Sequence, residues 1–132
     1  MEGSVKDLVL IRLQRAEEML KASKTNMEQN DYKTSLNRSY YAIFHAMRSV
    51  NSIDGFDSSK HSGVIAYFNQ NTLKTGKIDP EFSKIIKSAS YCREKSDYDD
   101  FYIVSHEETI EQYEQAKKFV EAVKEYIYSI DL

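Results

Sequence analysis

The chain is predicted to be all-α, an up-and-down bundle of four to five helices, and three observations carry that prediction. Its 132 residues include one proline and four glycines, too few for the many tight turns of a sheet-rich fold. Apolar residues recur at three- and four-residue spacing through most of the chain. The breaks in that pattern fall at residues that start or stop helices. The length fits one domain over residues 1–132.

The first helix is expected to start at Ser4 as N-cap, with Asp7 three residues on. Its apolar stripe runs through Leu8, Leu13, Ala16, Met19, Leu20, Ser23 and Met27, and Asn30-Asp31 ends it. A second helix runs from about Tyr32 to Asn51, with Leu36, Tyr40, Ile43, Phe44, Met47 and Val50 on one side. A loop around Gly55 leads to a short third helix capped by Ser58 or Ser59, and a loop with Gly76 follows. Asp79-Pro80 starts a fourth helix, because proline is pre-set for the first helical position. That helix runs to about Lys95, and Ser96–Val104 reads as an ordered loop. Ser105 and Glu108 form a capping box for the last helix. There Tyr113, Ala116, Val120, Val123, Ile127 and Ile130 make a narrow seam suited to antiparallel packing. Phe119 and Tyr126 widen that face, for burial against two neighbours or for a dimer surface.

Composition excludes several classes. No run of about 18 apolar residues is present, so no membrane span is expected. The N-terminus lacks the basic stretch and apolar block of a signal peptide. The single Cys92 cannot form an internal disulfide, which fits the cytoplasm. His45, His61 and His106 lie on three different elements, with no His-x-x-x-His or Cys-x-x-Cys, so neither a metal nor a cofactor is expected. Charge is asymmetric: residues 1–96 carry 15 Lys/Arg against 11 Asp/Glu, and residues 97–132 carry 3 against 10. A basic groove in the first part is compatible with that balance, and so are ordinary solvated helix faces.

Two polar clusters stand out. On the second helix Asn37, Tyr41 and His45 are spaced i, i+4, i+8 and share a face, with Arg38 beside them and Tyr40 and Phe44 on the neighbouring apolar side. Polar groups so close to a core need partners. The second cluster is Arg93 with Asp97, spaced to pair, followed by Tyr98. An arginine fixed by a carboxylate at a helix end can also grip a phosphate.

The pattern Asn37-Arg38-x-Tyr40-Tyr41-Ala42-x-Phe44, then Lys60-His61-x-Gly63-Val64 and Phe68, then Arg93-x-x-x-Asp97-Tyr98 resembles the HEPN domain, and more narrowly its small stand-alone prokaryotic branch. The resemblance implies a helical bundle, commonly a homodimer. It also implies a gene paired with a minimal nucleotidyltransferase, in a toxin–antitoxin or nucleotide-binding module. Many members are metal-independent ribonucleases with an Arg, four to six residues, then a His. The Arg holds the phosphate and the His takes the proton of the 2′-hydroxyl. After Arg93 those positions hold Tyr98, Asp99 and Asp100, and no histidine. Arg38 and His45 have the spacing, but they lie in the second helix. Asp97 is a poor substitute, since a carboxylate is a weak base for a hydroxyl.

Three readings follow. The first is a nucleotide- or RNA-binding partner of a nucleotidyltransferase with little catalysis, using Asn37, Arg38, Tyr41, His61, Asp97 and Tyr98. The second is a ribonuclease toxin using Arg38 or Arg93 with His45 or His61. The third is a structural homodimeric scaffold. If the second and fourth helices are neighbours, Arg38, His45, Arg93 and Tyr98 are expected to line one groove.

Overall fold

The computed structural model describes residues 2–132, with side chains from Ser4 onward, and contains five α-helices and no strand among them. They are α1 (Glu2–Glu28), α2 (Tyr32–Ile53), α3 (His61–Phe68), α4 (Phe82–Tyr98) and α5 (His106–Ser129). A π-helical turn, Asn69–Leu73, continues α3. No helix among the described residues is long and apolar enough to cross a membrane.

Local chemistry sets the boundaries. Asn30 takes a positive φ of 62°, a conformation that asparagine tolerates better than most residues. It closes α1 through bonds from Asn30 N to Met27 O and from Asp31 N to Asn26 O. Asp31 then caps α2 by accepting from Thr34 N at 3.3 Å. Gly55, at φ 76°, closes α2 in the same way. Ser105 Oγ accepts from Glu108 N at 3.1 Å, the half of the capping box that starts α5. The Glu108 carboxylate does not reach back. It accepts instead from the Tyr102 hydroxyl and, at 3.5 Å, from the Cys92 thiol.

Four boundaries differ from the sequence-based expectation. α1 starts at Glu2, so Ser4 lies inside it and is not its cap. α3 starts one residue after Lys60, which makes no side-chain cap bond. Ser58 Oγ accepts from Lys60 N instead. Asp79-Pro80 makes a lead-in turn, and α4 proper begins at Phe82. α4 also continues to Tyr98. Ser96 is buried, and the Arg93–Asp97 and Lys95–Asp99 pairs span its last turn, so Asp97 and Tyr98 are helical.

The core is one cluster built on α2, which packs against all four other helices. α1 meets it through Val9, Leu13, Ala16, Leu20 and Ser23, a register in which Val9 rather than Leu8 points inward. Small residues line this contact. Ser23 Oγ lies 2.7 Å from Ser39 Oγ, Ser35 Oγ donates to Ser23 O at 2.7 Å, and Ser49 Oγ donates to Val9 O at 2.7 Å. These bonds satisfy hydroxyls that burial would otherwise penalise. Ala42 and Ala46, both fully buried, leave no room for larger side chains. Phe119 of α5 is completely buried, in edge contact with Phe68 and Phe82 at 5.6 Å each, so the widened α5 face serves burial.

A larger side chain at Ala46 must force α1 and α2 apart. Ala46→Leu is expected to cost about 1–3 kcal/mol of stability in urea unfolding. A loss below about 0.5 kcal/mol, the range of neutral surface changes, would show that the contact is loose.

Candidate functional site

Tyr40 is the pivot of the polar region. Its ring is 2% exposed, and its hydroxyl lies 2.9 Å from Nδ1 of His61, the first residue of α3. Arg93 of α4 places its guanidinium carbon 4.6 Å from the centre of the same ring. Phe44, one turn along α2, packs at a tilt against His61 with ring centres 4.2 Å apart, and the Tyr41 edge meets the same imidazole at 5.7 Å. Three helices therefore converge on a histidine and an arginine that lie 32 residues apart in the chain.

Arg93 is held from two sides. The Tyr40 ring lies on one, and Asp97 on the other accepts from Nη1 at 3.2 Å, as the i, i+4 spacing predicts. Its side chain is 16% exposed, and its buried Nε–H has no acceptor among the described residues. The arginine thus retains donor capacity in a fixed orientation, which suits an oxyanion. Burial and then the Arg93 charge lower the His61 pKa below its ordinary value, so the imidazole is neutral at pH 7. Burial raises the Tyr40 pKa against the opposing pull of Arg93, so the phenol keeps its proton.

The remaining predicted residues divide. Asn37, Tyr41 and His45 share a half-buried strip of α2, as their spacing requires. Arg38 donates to the Asn37 side chain at 2.6 Å. It lies two positions from Tyr40, about 160° around the helix from the ring that Arg93 covers. His45 sits at the α1 edge of the strip, where Arg48, Arg15 and Arg12 surround it. Tyr98 is 78% exposed. Arg38, His45, Arg93 and Tyr98 therefore do not form the single groove expected from sequence. Arg93 gathers His61, Tyr40 and Asp97 instead. Sequence reading missed the role of Tyr40 by assigning it wholly to the core, and no local pattern signals its bond to a residue 21 positions away. It also missed Arg12 and Arg48, which both pair with Asp57.

The model of the HEPN domain matches residues 9–126. The chain belongs to the HEPN family. A UPF0332 protein of Thermotoga maritima is 31% identical to this HEPN chain over 113 residues, covering 86% of each. Two Methanocaldococcus jannaschii proteins, each named “Putative toxin”, are also similar. One is 29% identical over 126 residues, covering 96% of this chain and 93% of the relative. The other is 27% identical over 117 residues, covering 89% and 80%.

Two titrations check this HEPN site. Burial, followed by the charges of Arg48, Arg15 and Arg12, lowers the His45 pKa to about 4. Protonation is then harder in the folded state than in the unfolded one. The stability contribution is fully present above pH 6.5 and is lost as pH falls from 6.5 towards 4. The loss should be on the order of 2 kcal/mol, read as a falling melting temperature that flattens in His45→Gln. For His61, removing the Arg93 charge in Arg93→Ala should raise the imidazole pKa, measured by proton NMR. An unchanged pKa would remove the electrostatic link between the two residues.

Proposed function

We propose that this HEPN protein is a toxin-like partner of a nucleotidyltransferase, and that it binds RNA through the Arg93–Tyr40–His61 cluster with little catalysis of its own. The observation that carries the reading is an arginine locked over a buried tyrosine, with a neutral histidine hydrogen-bonded to that same tyrosine. A fixed guanidinium beside an imidazole and the exposed edges of Tyr41 and Asn37 offers a phosphate grip and a polar, aromatic surface for a base. The names of the archaeal relatives support the toxin-like part of the reading. The partner part draws support from the end of α4 and the turn after it, where Tyr98, Phe101 and Ile103 are 78%, 93% and 88% exposed. Apolar side chains grouped in this way are typical of protein-contact surfaces.

A second reading, metal-independent cleavage, is favoured by one specific feature. His61 and Arg93 both contact Tyr40, so a histidine lies near that arginine although none follows it at the family spacing, and its lowered pKa keeps it unprotonated at pH 7. In this reading His61 accepts the 2′-hydroxyl proton and Arg93 offsets the charge that builds on the phosphate.

Both readings meet one experiment, performed in excess chelator with labelled single-stranded RNA. Binding is followed by fluorescence anisotropy and strand integrity by gel. Arg93→Ala should weaken binding at least tenfold, the effect of losing charge-assisted bonds of about 1.5–3 kcal/mol. Arg93→Lys should not restore it, because an ammonium cannot both cover the Tyr40 ring and fork onto a phosphate. Wild-type affinity in a folded Arg93→Ala protein would eliminate the proposed site. Cleavage that disappears in His61→Ala would establish the second reading over the first.

A further inference from the structure

The aromatic cluster has a second basic edge. Arg12 of α1 and Arg48 of α2 converge on Asp57, in the loop before α3. Asp57 Oδ2 accepts from Arg12 Nη2 at 3.1 Å and from Arg48 Nη2 at 3.0 Å, and its Oδ1 accepts from Arg48 Nε at 3.3 Å. Arginine forks grip carboxylate and phosphate with the same geometry. The arginines are the fixed part of this arrangement. Their side chains are 12% and 21% exposed, and Arg12 Nη1 is tied to Ser52 Oγ at 2.5 Å. The carboxylate is the accessible part, at 47%.

Beside this fork opens a pocket of about 490 Å3, lined by Phe44, Arg48, Asp57, Ser58, Ser59 and His61. Its loop is seated firmly on α3. A Cβ at Gly63 would lie 2.5 Å from Ser58 Oγ, so the loop passes close to the start of α3. Two guanidinium groups and one carboxylate leave a net positive charge. Arg15 adds a third positive charge nearby, acting with Arg48 and Arg12 on His45.

We propose that this pocket is a second phosphate subsite for an RNA strand, and that Asp57 is an internal competitor that holds the arginine fork until a phosphate displaces it. His61 belongs to both stations. It lines this pocket and is joined through Tyr40 to Arg93. A ligand reaching both needs at least two phosphates on one backbone, which a strand provides and a nucleoside monophosphate does not. The RNA assignment rests on the function proposed above, and the test separates the two.

The test measures anisotropy of a short labelled oligouridylate with the full chain. Asp57→Asn should tighten binding several-fold and steepen the salt dependence by about one charge, since a cation is freed for phosphate. Arg48→Gln should weaken binding about tenfold. If Asp57→Asn binds no more tightly than wild type, the subsite is overturned, and a loss confined to Arg93→Ala leaves the first site standing. If the Asp57 and Arg48 variants behave as expected while Arg93→Ala binds like wild type, the subsite stands and the Arg93 reading falls. Wild-type protein supplies a measurement free of folding effects. Titration with inorganic phosphate should shift the Arg48 Nε–H and the Ser58 and Ser59 amide resonances saturably. Resonances that stay fixed in concentrated phosphate overturn the subsite.

Discussion

One helix carries both the core and the site. α2 packs against every other helix, and its polar strip lies within a turn of its most deeply buried side chains. Tyr40, Phe44 and Met47 are core residues, while Asn37, Tyr41, His45 and Arg48 lie half-buried beside them. The strip therefore cannot shift without disturbing close packing, and close-packed interiors resist small displacements. Arg93 inherits this rigidity by lying on the Tyr40 ring, a contact worth about 0.5–2 kcal/mol. The conformational cost of holding its guanidinium is met during folding and need not be met when a ligand arrives.

The electrostatics follow one pattern on both edges of the strip. Three arginines near the site are held by carboxylates: Arg93 by Asp97, and Arg12 and Arg48 by Asp57. A carboxylate partner fixes the fork but competes with any incoming phosphate. The two carboxylates differ in exposure, 29% for Asp97 and 47% for Asp57, and in reach, since Asp97 engages one nitrogen of one arginine while Asp57 engages two arginines. Asp97 thus orients Arg93 while leaving donors free, and Asp57 occupies its arginines more fully. The acidic segment from residue 97 to residue 132 adds to the polarity of the molecule.

Local rules made much of the fold legible. The Ser105 cap and the Arg93–Asp97 spacing depend only on neighbours within a turn or two and form as read, while the α5 seam holds at Ala116, Val120, Val123 and Ile127 but starts at Thr109 and Gln112 rather than Tyr113 and ends before Ile130. The misreadings have physical causes. Ser96 and Asp97 are weak helix formers, yet burial of Ser96 and two ion pairs carry α4 past them. Ser4 has a capping side chain, but α1 extends past it to Glu2. The site was less legible, because its decisive contacts join residues 9 to 53 positions apart across different elements. The Arg38–His45 spacing copied a family pattern in one dimension, while in space the histidine near Arg93 comes from α3.

The tautomer of His61 decides between holding a phosphate and cleaving beside it. The Tyr40 phenol is buried and keeps its proton at neutral pH. Its proton needs an acceptor; His61 Nδ1, at 2.9 Å, is the one within reach among the described residues. Leaving that buried hydroxyl unpaired would cost about 1–3 kcal/mol. The proton of neutral His61 then sits on Nε2, which makes the outward nitrogen a donor to an oxyanion. Acting as a base requires the opposite tautomer, with Nδ1–H donating to the Tyr40 oxygen and the phenolic proton left without a partner. That penalty corresponds to roughly a five- to hundredfold bias towards the donor form. The bond that positions His61 therefore also holds it in the form suited to gripping a phosphate.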